Sequence, residues 1–397
     1  MPLPAIPARP PRLATLQAVR ALAASMVVVV HLAGPTAFEH KVFDRSLLQP
    51  LWHPAMTGVD VFFVVSGFVM AVTAGGALLE GAPTTSLGRF AWRRASRVYP
   101  VYWVVTLAVL AAVVVVPGLR EGGLAGTDLL ASFLLLPQSG EPLLLVGWTL
   151  VHEMGFYAVF TLALVAARAG RWAARAVLVG WGAFVLVGHL ALPDASSPWW
   201  RIATNPVNLE FLLGIAAGLL VLRHRGHGGA LLTAGLVLLV PAWIDLSVRG
   251  PLLRDATAGA LVVGTGAALA VAGLARLERD GRLRVPALLA RLGDASYALY
   301  LVHVPLVTLL AVVVSAVLPT PGGAAGVVLQ LAVVLLVLAG CQVAGLLAHR
   351  VVEQPLLRGA RALERRATRP RPGPVADPAQ PVAERAELSG TASTLAT

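Results

Sequence analysis

The residues of this chain that could do chemistry are ionisable side chains set inside apolar stretches. Glu153 stands in GWTLVHEMGFYAVF, residues 147–160, within an otherwise apolar run over 142–167. An unpaired carboxylate is not tolerated in hydrocarbon, so this one needs a pairing group, a hydrogen bond or a proton. Thr149, Glu153 and Tyr157 recur at i, i+4 and i+8, which on a helix makes one polar stripe facing a bundle interior. His152 points about 100° away, shares a face with Trp148 and Phe156, and reads as a packed or interfacial histidine.

Two further apolar stretches carry such groups. In AVRALAASMVVVVHLA, Arg20 and His31 are eleven residues apart, which is three helical turns plus about 20° and a rise of about 16 Å. They share a face and would mark the two ends of a polar passage. Equally, Arg20 can snorkel to one headgroup layer and His31 sit at the other. In TGVDVFFVVSGFVM, Asp60 lies a little over one turn from the outer end, either as an interfacial residue or as the partner of an imidazole, and Gly58 and Gly67 suit close packing. Between these stretches and the next, RFAWRRASRVYPVYW places Arg89, Arg93, Arg94 and Arg97 at one helix end. Guanidinium groups one turn apart can grip phosphates bidentately, as a nucleotide-bearing donor requires.

These residues need membrane-spanning helices to hold them. The chain is 57% hydrophobic and 13% charged, with a mean hydropathy of +0.78, outside the range of soluble domains. Ten stretches reach the length that crosses a bilayer as a helix: 15–33, 55–76, 98–117, 142–167, 172–193, 206–222, 229–247, 256–275, 294–318 and 324–349. DLLASFLLLP at 128–137 is too short to cross and reads as interfacial or re-entrant. With the N-terminus in the cytoplasm, 24 of the 31 Lys and Arg fall in inside segments and 6 in outside ones, as the positive-inside rule demands. The expected fold is therefore all-α, an integral membrane helical bundle of about ten transmembrane helices with both termini cytoplasmic. The net charge of +11 follows from topology and attraction to anionic lipid, without a nucleic-acid partner. Residues 1–12 form a Pro-rich tail, 13–358 the membrane domain and 359–397 a basic tail expected to be disordered. The first span reads as retained, not as a cleaved signal. The single cysteine, Cys341, gives neither a disulfide nor metal-ligand spacing, and no metal is expected.

Taken in order, five segments resemble acyltransferase family 3, the polytopic membrane O-acyltransferases. They are Arg20-x10-His31, GVDVFFVVSGF at 58–68, RRASRVYP at 93–100, GWTLVHEMGFY at 147–157 and LGDASYALYLVHVPL at 292–306. NLEFLLGIAAG at 208–218 and VVEQPLLR at 351–358 agree with later, weaker parts of the pattern. Thr149 replaces a common serine, and Gln354 follows Glu353 where arginine is frequent. Many relatives carry an extra C-terminal hydrolase-like domain, for which this chain has no room.

The resemblance implies transfer of an acyl group, often acetyl, from cytoplasmic acyl-CoA to a hydroxyl of a glycan, a lipid-linked sugar or a natural product such as a macrolide, in the cell (inner or plasma) membrane. It implies catalytic roles for His31, Arg20 and Glu153, and contact with the donor by the basic group Arg93, Arg94 and Arg97. The chemistry agrees: a hydroxyl attacks a thioester poorly unless a base removes its proton, and imidazole suits that task near neutral pH. His31 is the expected base, with Asp60 or Glu153 orienting its ring. Tyr157 and Trp148 are expected to contact the acceptor, and His303 either to contact it, to relay the acyl group as an acyl-histidine, or to pack against Tyr297 and Tyr300. A transporter of a small molecule or lipid-linked glycan is the rival reading, since charges inside spans can line a path.

Overall fold

The computed structural model describes residues 13–35, 37–81, 86–116, 119, 123–193, 195–248, 256–318 and 322–367. All regular structure among them is helical, and ten helices are long and apolar enough to cross a membrane. The membrane-length helices are α1 (Ala14–Ala33), α3 (Gln49–Glu80), α4 (Leu87–Val115), α6 (Gly147–Ala166), α7 (Arg171–Ala191), α9 (Asn208–Arg223), α10 (Gly228–Val248), α11 (Ala256–Arg279), α13 (Ser296–Val317) and α14 (Gly323–Ala348). Short helices α2 (Phe38–Phe43), α5 (Leu129–Leu134), α8 (Pro198–Ala203) and α12 (Ala287–Asp294) connect them. A π-helical turn, His349–Glu353, leads from α14 into α15 (Gln354–Ala367).

Every expected span is a helix, and the segment expected to fall short of crossing contains only the six-residue α5. Residues 359–367, the first part of the basic tail, continue α15 as helix. The remainder of that tail, 368–397, and the N-terminal tail 1–12 lie outside the described residues.

Small residues let backbones meet where lipid offers no hydrophobic drive for association. On α3 and α9, Gly67 lies on the backbone of Phe211 and Gly214 on that of Val64. Further along, Gly218 meets Phe68 and Ala71, and Gly75 meets Leu222, so the contacts advance together and the two helices run in the same direction. Gly58 of α3 rests on Ala23 of α1, and Gly293 of α12 on the backbone of Gln17. The first turn of α1 has no cap of its own, Leu13 being apolar. Glu278 of α11 supplies one, accepting hydrogen bonds from the backbone N–H groups of Ala14 (2.7 Å) and Thr15 (2.8 Å) and from the Thr15 hydroxyl (2.5 Å). That satisfies donors every helix start leaves open and fixes the register of the helix bearing Arg20 and His31.

The non-spanning α5 is held by α4. Tyr99, Tyr102 and Trp103 donate to the carbonyls of Leu134, Ser132 and Phe133 at 3.0, 2.6 and 2.9 Å. Non-spanning backbone at membrane depth survives only when protein satisfies it, and here three aromatic side chains do so.

Candidate functional site

α1, α3, α4, α6 and α13 enclose a cavity of about 100 Å³. Its basic wall is Arg20 from α1 with Arg94 and Arg97 from α4; α6 contributes Thr149, Glu153 and Tyr157, the whole of the stripe expected to face inward. Tyr157 donates to Glu153, and Ser66 of α3 reaches the same carboxylate at 3.4 Å. The Arg94 guanidinium lies over the rings of Phe90 and Tyr157, 5.4 and 5.7 Å from their centroids. Three guanidinium groups around one carboxylate leave this space with a surplus of positive charge, which suits an anionic ligand.

From the cavity a line of polar groups runs along α13 toward the far end of α1. The Tyr300 hydroxyl lies 2.6 Å from that of Thr149, and its ring packs 5.8 Å from that of His303. His303 Nε2 lies 3.2 Å from His31 Nδ1. His31 Nδ1 is also 2.9 Å from the Val27 carbonyl, and His303 Nδ1 is 3.2 Å from that of Leu299. Carbonyls only accept, so both Nδ1 atoms carry hydrogens in the neutral pair. His303 Nε2 then accepts from His31, and His31 Nε2 keeps a lone pair.

The fold is that of a multi-pass membrane protein, and its relatives decide the class. An acyltransferase-domain model, that of acyltransferase family 3, matches residues 13–346. The chain belongs to acyltransferase family 3. It is 34% identical over 321 residues to the exopolysaccharide production protein ExoZ of Rhizobium meliloti, covering 77% of this chain and 90% of the relative. It is 30% identical over 389 residues to the acyltransferase MdmB of Streptomyces mycarofaciens, covering 89% and 94%. No solved structure matches it.

Within this family 3 acyltransferase the expected site residues separate into groups. Arg20, Arg94, Arg97, Glu153 and Tyr157 meet in the cavity, and His31 and His303 meet beyond it. Three expected arrangements are not what the geometry shows. Arg93 is exposed and not in the cavity wall, because it precedes Arg94 by one residue and so points about 100° away. Trp148 is 41% exposed, outside the cavity wall, with its ring against His152. Neither Asp60 nor Glu153 orients the His31 ring; the contacts of that ring are His303 and the Val27 carbonyl.

Asp60 instead lies beside Glu210 of α9, whose two carboxyl oxygens are buried without a hydrogen-bond partner among the described residues. Glu210 is fully buried and went unremarked in the sequence. It is an acid inside an apolar helix, and the reasoning that singled out Glu153 applied to it equally. His152 is buried and holds Asn208 at 3.0 Å, while the Asn208 amide donates to the carbonyls of Ile202 and Ala203. Its role is to anchor α8.

Proposed function

We propose that this acyltransferase moves an acyl group, acetyl in the first instance, from acyl-CoA to a carbohydrate hydroxyl, with His31 as general base. The arginine-lined cavity takes the anionic donor, and the end of the bundle bearing it faces the cytoplasm of a cell whose inner or plasma membrane holds the protein. One observation carries this reading: from a cavity lined by three arginines, Thr149 and Tyr300 lead by a ring contact to a histidine pair. The rise of about 16 Å from Arg20 to His31 is of the order of an extended pantetheine arm, so phosphates at the arginines and a thioester at the histidines are compatible.

In the step proposed, the acceptor oxygen attacks the thioester carbonyl as His31 Nε2 takes the hydroxyl proton. The tetrahedral intermediate collapses, the carbon–sulfur bond breaks, and the proton on His31 passes to the departing thiolate. Atoms and charge balance without a further reactant. His303 accepts from His31 Nδ1–H throughout and stabilises the transient imidazolium, as an orienting group does in hydrolase triads. The name of the ExoZ relative, an exopolysaccharide production protein, supports a carbohydrate acceptor, whether polymeric or lipid-linked, over a macrolide.

The test is release of free CoA from acetyl-CoA by the protein in lipid nanodiscs, with and without glycan acceptors, beside the His31→Ala variant. Release that requires both acceptor and His31 is expected. A properly folded protein that neither binds acetyl-CoA nor releases CoA overturns the reading.

A further inference from the structure

The cavity wall carries six hydroxyls, from Ser66, Thr149, Tyr157, Ser296, Tyr297 and Tyr300. Five are engaged: Ser66 and Tyr157 with Glu153, Thr149 and Tyr300 with each other, and Tyr297 with the Val98 carbonyl at 2.7 Å. Ser296 differs. Its residue is fully buried and belongs to the cavity wall, and among the described residues its Oγ has no hydrogen-bond partner. Arg94 Nε, across the same space, is likewise buried without one. A buried unmet hydroxyl costs free energy of folding; a ligand that completes it recovers that cost on binding.

The position of Ser296 narrows what the ligand offers. It is the first residue of α13, seven residues before His303, a rise of about 10 Å. It therefore sits too far from the histidine pair to touch the reacting carbonyl, and it shares the cavity wall with the arginines on the helix that leads from them to that pair. On the donor arrangement proposed above, the part of acyl-CoA that passes this point is the pantetheine arm, whose only hydrogen-bonding groups are two amides and a hydroxyl.

We propose that Ser296 is a donor-binding residue whose Oγ hydrogen-bonds an amide of the pantetheine arm. The inference rests on acyl-CoA being the donor. It makes Ser296 a determinant of donor class: the site distinguishes an amide-bearing arm from a plain alkyl thioester independently of the nucleotide.

Three donors test it, with the protein in nanodiscs and one glycan acceptor: acetyl-CoA, acetyl-pantetheine and ethyl thioacetate. The second lacks the nucleotide and the third lacks the amides as well. Ser296→Ala is expected to lower kcat/KM about 2- to 13-fold with the first two donors, the range of one neutral hydrogen bond. With ethyl thioacetate it should change nothing, saturating kcat should match wild type, and the thermal unfolding midpoint of the ligand-free protein should equal or exceed that of wild type. Equal loss with all three donors, or loss with none, overturns the proposal and makes Ser296 a packing residue while the donor reading stands. Wild-type protein that turns over neither acetyl-CoA nor acetyl-pantetheine overturns the donor reading and this inference with it.

Discussion

Replacing His303 with alanine separates the roles of the two histidines. On the mechanism proposed, His31 Nδ1–H has two acceptors, the Val27 carbonyl at 2.9 Å and His303 Nε2 at 3.2 Å. The variant keeps the first, so the tautomer that leaves Nε2 free persists and the base remains. What disappears is the second acceptor just as the ring becomes cationic. A hydrogen bond to a charged group contributes about 1.5–3 kcal/mol, so kcat should fall about 10- to 100-fold, with KM for acetyl-CoA little changed. Removing the base itself in His31→Ala should cost about 100- to 10,000-fold. His303→Gln, whose amide oxygen can accept from the same Nδ1–H, should recover part of the loss. The assay is single-turnover CoA release at saturating donor and acceptor. A His303→Ala loss as large as that of His31→Ala, or an acyl group trapped on His303, refutes the reasoning, for then His303 takes part in the bond changes directly.

Other variants examine the rest of the arrangement. Arg97 lines the cavity and Arg93 does not; Arg97→Gln should raise KM for acetyl-CoA about tenfold or more through loss of a charge-assisted contact, and Arg93→Gln by less than about twofold, as titrations of CoA release would read. A Cβ on Gly214 meets the backbone of Val64 and Phe68. Gly214→Ala should therefore force α3 and α9 apart at a cost of about 1–3 kcal/mol, visible as a lowered unfolding midpoint in detergent. Gly155→Ala, where the added carbon has nothing within 4 Å, is the matched control and should be neutral or stabilising by up to about 1 kcal/mol.

Much of the architecture was legible because hydrocarbon imposes one rule on backbone: helices about 20 residues long must carry it across. The same rule made the stripe Thr149, Glu153 and Tyr157 readable, since an i, i+4, i+8 polar row in an apolar helix has nowhere to face but inward. The Arg20 and His31 spacing was legible for a similar reason. Pairings between distant segments were not. His31 and His303 are 272 residues apart in sequence, and nothing along α1 distinguishes an imidazole partner from a carboxylate one. Asp60 was attractive as that partner because it is a carboxylate toward the outer end of its own span, as His31 is an imidazole toward the outer half of α1. On α3, however, residues 60, 64, 67 and 71 face α9 while 59, 62, 63 and 66 line the cavity, a split that only the packing of α9 reveals. Ser296 lay in a segment quoted whole from the sequence, yet its significance is a missing contact, which only the surrounding side chains can define.

The clamp of α4 on α5 bears on how these two segments can diverge among relatives. Tyr99, Tyr102 and Trp103 each supply one proton to one carbonyl, so phenylalanine at Tyr99 or Tyr102 would keep the ring while removing the donor. Drift at those three positions is therefore not independent of the short helix they grip. A lineage that loses the donors should also shorten, polarise or delete residues 129–134, and one that keeps the helix should keep aromatic donors opposite it. Tolerated substitutions in α4 and α5 should accordingly occur as paired changes, and a chimera exchanging one segment without the other should fold worse than one exchanging both.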